Sequence, residues 1–163
     1  MFRFPDPTPG ARAVELFAMA TVFGATVWFF FIQSPVLMKH LGREAFVPLQ
    51  MRLTVVLFQS LEALLFAMVG AALLTNDKTS PAVLSACVAL LGGLINKYAI
   101  VPLALQAGGR TLKDIKDKDH EGSTAGFASE GGGSKTKTLH RTVVLFVVIM
   151  LAGTVWHGLI MLN

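Results

Sequence analysis

The chain has 163 residues, of which 53% are hydrophobic and only 15% charged, and its mean hydropathy of +0.62 exceeds what a soluble domain of this size needs to fill a core. That composition points to an integral membrane protein. The single cysteine, Cys87, excludes an intrachain disulfide and a Cys-rich metal site. The net charge of +4 falls mainly in two loops between apolar stretches, the pattern of membrane topology rather than of nucleic-acid binding.

Residues 1–12 read as an N-terminal extension. "MFRFPDPTPGAR" carries three prolines in its first nine residues and lacks the Arg- and Ser-rich amphipathic pattern of a cleavable transit peptide. Four apolar stretches follow, at about Ala13–Pro35, Leu49–Leu74, Pro81–Pro102 and Leu139–Leu162. Each reaches the roughly 20 helical residues that cross a hydrocarbon layer about 30 Å thick. Transmembrane barrels need short segments of alternating polarity, so a helical bundle is the expected solution. The connections "KHLGREAF" and "LLTNDKTSP" are short and predict antiparallel hairpins. The third, 103–138, splits into a charged surface helix, "RTLKDIKDKDHEG", and a Gly- and Ser-rich tether, "GSTAGFASEGGGSKTKT". A tether of that composition, if ordered, needs a partner to hold it. The fold class is thus all-α, a single four-helix antiparallel transmembrane domain over residues 1–163.

Orientation follows from the basic residues. Lys39, Arg43, Arg52, Arg110, Lys113, Lys116, Lys118, Lys135, Lys137 and Arg141 lie on one side, against Arg3, Arg12 and Lys78 on the other. The positive-inside rule then puts loops 36–48 and 103–138 on the cytosolic or matrix side and both termini opposite.

Within the spans, Ser85, Ala89 and Gly93 recur every four residues and predict a smooth packing stripe in the third helix, with Asn96 on nearly the same face. Ala63, Ala67 and Ala71 repeat the device in the second. Arg52, Gln59 and Glu62 fall within an arc of roughly 80° at 100° per residue, so that side of the second helix should point into protein. Glu62 is mid-span, where an unpaired charge is most costly. Lys97 lies about 8 Å away in depth and can pair with it or snorkel to the interface, and an interhelical pair is the expectation over an ion relay. His140 and His157 are about 25 Å apart along the fourth helix and cannot share one iron. No intrinsic haem or other cofactor, and no metal site, is therefore expected. His157, beside Trp156, reads as an interface residue. No nucleophile–base pair, phosphate loop or zinc motif is present, and no catalytic residue is assigned.

These segments resemble the transmembrane protein 205 family of small four-helix membrane proteins. The resemblance rests on Gly24, Trp28 and Phe30 in the first helix, and on Phe46, Leu49, Gln50 and Arg52 opening the second. Tyr98, Pro102, His120 and Glu121 follow the third, and Leu139 and His140 open the fourth. The chain departs from that family in reading "TVVLF" early in helix two, and it has no asparagine in helix four before Asn163. The resemblance implies a fold and a membrane location, but no catalytic residues.

The function expected from this reading is a non-catalytic accessory subunit of a large membrane complex, in contact with other membrane subunits and structural phospholipids. A respiratory-chain complex or supercomplex of the mitochondrial inner membrane is the specific expectation. The competing expectation is a small oligomeric transporter or channel with a polar path around Glu62.

Overall fold

The computed structural model describes residues 9–76, 79–103 and 134–162. Among the described residues the chain is helical, with four helices long and apolar enough to cross a membrane. They are α1 (Pro9–Gly42), α2 (Ala45–Thr75), α3 (Pro81–Leu103) and α4, which begins at Ser134 and runs to Leu162 with its apolar part from Arg141. Three boundaries differ from the sequence reading. Pro9–Arg12 belong to α1 rather than to an extension, Ser134–Thr138 belong to α4 rather than to the tether, and "KHLGREAF" is helical apart from a break at Gly42. The charged surface helix, the rest of the tether, and His120 and Glu121 lie outside the described residues.

The break at Gly42 has φ 68° and ψ 167°, a region open essentially to glycine alone. A Cβ there would meet nothing within 4 Å, so any penalty for a side chain is purely conformational. Gly42→Ala should cost about 2 kcal/mol in reversible unfolding in mixed micelles, with no change in the contacts of the spans. The next hairpin is set by local chemistry too. Ser80 caps α3 by accepting from the Val83 amide at 3.3 Å, and Pro81 takes the first helical position, where its missing N–H costs nothing.

Two π-turns interrupt the spans, at Trp28–Gln33 in α1 and Asn96–Ile100 in α3. Each precedes a proline, Pro35 and Pro102 respectively. A proline inside a helix removes one backbone bond and presses on the carbonyl four residues earlier, here Phe31 and Tyr98, and a widened turn relieves that clash. Ser34 closes the first by donating its hydroxyl to the Phe29 carbonyl at 2.6 Å, while Gln50 Nε2 donates to Ser34 Oγ at 2.6 Å and ties α2 to the bend.

The helices pack in a ring, α1 on α2, α2 on α3, α3 on α4 and α4 on α1. Their buried faces follow steps of three or four residues. On α1 these are Glu15, Ala18, Val22, Thr26 and Phe29; on α2 Thr54, Phe58, Leu61, Leu65, Met68 and Ala72; on α4 Val143, Val147, Met150, Thr154 and His157. That spacing keeps one seam facing the bundle axis, as in coiled-coil packing. On α3 the stripe Ser85, Ala89 and Gly93 is buried, and the approach there is close. A Cβ on Gly153 would stand 2.8 Å from the Ala89 amide nitrogen, and one on Gly93 would stand 2.6 Å from Leu65 Cδ1. The stripe therefore serves two neighbours, α4 through Ser85 and Ala89, and α2 through Gly93. On α2 the alanine repeat is only partly in the packing face. Ala71 is buried, whereas Ala63 is exposed and Ala67 half-buried, because the seam there is taken by Leu61, Leu65 and Met68.

Candidate functional site

Two polar groupings stand out among the described residues, one on the wall of the bundle and one sealed in its interior. On the wall, Lys97 pairs with Glu62 Oε2, and Tyr98 donates its hydroxyl to Glu62 Oε1 at 2.7 Å. Consecutive residues on a regular helix are 100° apart. The π-turn at Asn96–Ile100 changes that register, and Lys97 and Tyr98 converge on one carboxylate. Lys97 thus turns toward α2 rather than to a lipid headgroup. The pair remains partly open, with side-chain exposures of 19% for Lys97 and 22% for Glu62, and Tyr98 is 63% exposed.

The polar arc of α2 does not point wholly into protein, contrary to the sequence reading. Gln59 is exposed and Glu62 lies on the flank, since Phe58, Leu61 and Leu65 occupy the seam. Arg52 is half-buried. Asn96 shares the seam of α3 and is 0% exposed, and neither of its amide atoms has a hydrogen-bond partner among the described residues.

The second grouping was not assembled from sequence. Glu15 and His157 are 1% and 0% exposed, so His157 is a core residue rather than an interface one. Its seam position, three residues after Thr154, carries the ring into the bundle instead of toward the headgroups. Nε2 lies 2.9 Å from Glu15 Oε1. Nδ1 lies 2.9 Å from the Ala82 carbonyl and 3.1 Å from Ser85 Oγ. The Thr75 hydroxyl lies 3.1 Å from Glu15 Oε2, and Asn76 Nδ2 donates to Thr75 Oγ1 at 2.7 Å. Each of the four helices therefore supplies one side chain: Glu15, Thr75, Ser85 and His157.

Ser, His and Glu in contact invite comparison with a catalytic triad, and the wiring differs. A carbonyl only accepts, so the tautomer that satisfies Ala82 is the one with a hydrogen on Nδ1. The Ser85 hydroxyl itself donates to the same carbonyl at 2.8 Å. In that tautomer the ring nitrogen already holds a proton and cannot take one from Ser85, so the serine is not activated by it.

Of the remaining residues singled out by sequence, Gly24 and Trp28 are exposed, Phe46 and Pro102 are half-buried, and Gln50 reaches Ser34. Phe30 packs against Phe58 with ring centroids 6.3 Å apart. The side chain of His140 lies outside the described residues.

The fold and its polar groups define a four-span helical integral membrane protein. A family model described as a domain of unknown function, DUF4149, matches residues 17–110, more than half of the 163 residues. The chain belongs to that family. The match takes in most of α1 and all of α2 and α3, so the wall group lies within it, whereas Glu15 and His157 fall outside it. No curated protein and no solved structure matches the chain.

Proposed function

We propose that the chain is a non-catalytic accessory subunit of a larger membrane assembly, docked through the α2–α3 wall. The observation that carries this reading is the partly exposed Glu62–Lys97–Tyr98 group on the flank of the spans, with the Glu62 carboxylate rising from the middle of α2 and Lys97 and Tyr98 from near the end of α3. Lipid is the least favourable surrounding for such a group, and a neighbouring protein removes that cost. A path through the single bundle gains no support from its interior. Its polar groups sit toward the two ends, Glu15, Ser85 and His157 at one and Asn96 and Gln50 toward the other. Val22, Leu65, Met68 and Met150 form a dry layer between them.

Within this reading the chain sits in the mitochondrial inner membrane, in a respiratory-chain complex or supercomplex, with structural phospholipids on its outer faces. The termini face away from the basic loops, by the positive-inside argument. Kinship with the transmembrane protein 205 family is part of the same proposal, supported by the residues that match it. The second reading, an oligomeric transporter or channel, draws on the exposure of Gln59 beside Glu62, which neighbouring copies could line into a path.

A tagged chain extracted in mild detergent should migrate on a native gel with a large assembly, its partners identified by mass spectrometry. A free chain of 17.5 kDa would sink the accessory reading. Glu62→Gln combined with Lys97→Met should leave the bundle folded by circular dichroism and reduce co-migration. Flux into vesicles that Glu62→Gln abolishes would favour the transporter instead.

A further inference from the structure

The α1–α2 hairpin outruns the rest of the bundle at its basic end. Leu65 against Gly93, and Phe30 against Phe58, set the helices in register. At 1.5 Å per residue, Leu103 at the end of α3 is then level with about residue 55 of α2 and about residue 33 of α1. That level marks where the shorter spans leave the hydrocarbon, since α3 has 23 residues and the apolar part of α4 has 22, each enough to cross it once. Beyond it α1 continues to Gly42 and α2 begins at Ala45. The hairpin therefore extends roughly 14 Å further, through a headgroup layer that is roughly 5–8 Å deep on each side.

Val36, Met38, Leu41, Val47 and Leu49 are exposed although they stand outside the hydrocarbon, and Lys39 and His40 are exposed among them. The charge is nearly of one sign. Along the described helices at this end, Lys39, Arg43, Arg52, Lys135, Lys137 and Arg141 meet a single acid, Glu44. The turn between α2 and α3 at the other end sets Asp77 beside Lys78. Apolar side chains interleaved with basic ones suit the boundary between acyl chains and phosphates, and a basic cluster there attracts anionic lipid. We propose that the α1–α2 hairpin is a docking surface for anionic lipid headgroups. Lys39 and Arg43 select them over zwitterionic ones, while Val36 and Met38 pack against the upper ends of the acyl chains. Lys39 stands about 9 Å beyond the level of Leu103, and its flexible stem brings the ammonium to phosphates at that depth. This contact is independent of the α2–α3 wall and of any assembly that covers it.

The test uses the full chain with Cys87→Ser in lipid nanodiscs, with bimane attached either at Met38→Cys on the hairpin or at Leu74→Cys at the opposite end, both exposed positions. Phosphatidylglycerol or phosphatidylcholine carrying a nitroxide near the headgroup end of its acyl chain is added at the same fraction. At Met38→Cys the labelled phosphatidylglycerol should quench about threefold more than the labelled phosphatidylcholine. The preference should fall toward equality in Lys39→Gln with Arg43→Gln, and also in molar salt, an arm that needs no substitution in the basic cluster. Leu74→Cys should show no preference, and millimolar inorganic phosphate should leave the preference at Met38→Cys unchanged. Equal quenching by the two lipids at Met38→Cys would overturn the selection, and a preference abolished by millimolar phosphate would assign the cluster to free phosphate instead of lipid. Water-like emission with no quenching by either lipid would overturn the docking and leave the hairpin to a protein partner.

Discussion

Glu15→Ala and His157→Ala should each destabilise the bundle by about 3–5 kcal/mol in reversible unfolding, the cost of leaving one member of a buried pair without its partner. The effect is large because nothing nearby can substitute. Both side chains are enclosed, and water reaches neither without parting the helices. The double variant should cost less than the sum of the singles, since the second truncation removes a group already stranded, and a double-mutant cycle should return a coupling of about 1–3 kcal/mol. Filling the same volume with apolar groups, as in Glu15→Leu with His157→Phe, should recover most of the stability, because buried ionic pairs are often matched by well-packed hydrophobic ones.

The architecture was legible because crossing a bilayer demands runs of apolar residues that little else in a protein requires. The Glu62–Lys97 contact was legible only as one of two options, since a lysine near the end of its span can reach either a mid-span carboxylate or the headgroups, and the structure shows the first. Glu15 and His157 were harder to read for a physical reason. In a soluble helix the polar face marks what is outside, whereas a lipid-facing surface is as apolar as a core. Leu16, Phe17 and Phe23 point outward while Glu15, Thr26 and His157 point inward, so hydrophobicity alone inverts the assignment. The usable signal was the three- or four-residue spacing that joins Glu15 to Ala18, Val22 and Thr26, and His157 to Thr154, Met150 and Val147. The same inversion explains Gln59, which the polar arc of α2 drew inward on paper and which the seam of Phe58 and Leu61 leaves outside. The π-turns follow from Pro35 and Pro102, but the convergence of Lys97 and Tyr98 on Glu62 needs the three-dimensional register.

The close contact of α3 and α4 supplies the sharpest test of packing. A Cβ on Gly153 would lie 2.8 Å from the Ala89 nitrogen, 3.1 Å from its Cα and 3.1 Å from the Ser85 carbonyl oxygen. All three are backbone atoms of α3, so no rotamer change can clear them. Gly153→Val should therefore push the helices apart and cost about 3 kcal/mol, the upper end of overpacking penalties. The displacement would also open the contacts of His157 to Ser85 and Ala82, only one turn away. Gly158 provides the control on the same helix. A Cβ there would stand 2.8 Å from Met19 Sδ, the far end of a flexible side chain that can move aside. Gly158→Ala should cost under about 1 kcal/mol, and any backbone entropy gained by replacing glycine offsets part of it. Equal penalties at the two glycines would mean that α3 and α4 do not meet backbone to backbone, and the enclosure of Glu15 and His157 would lose its structural basis.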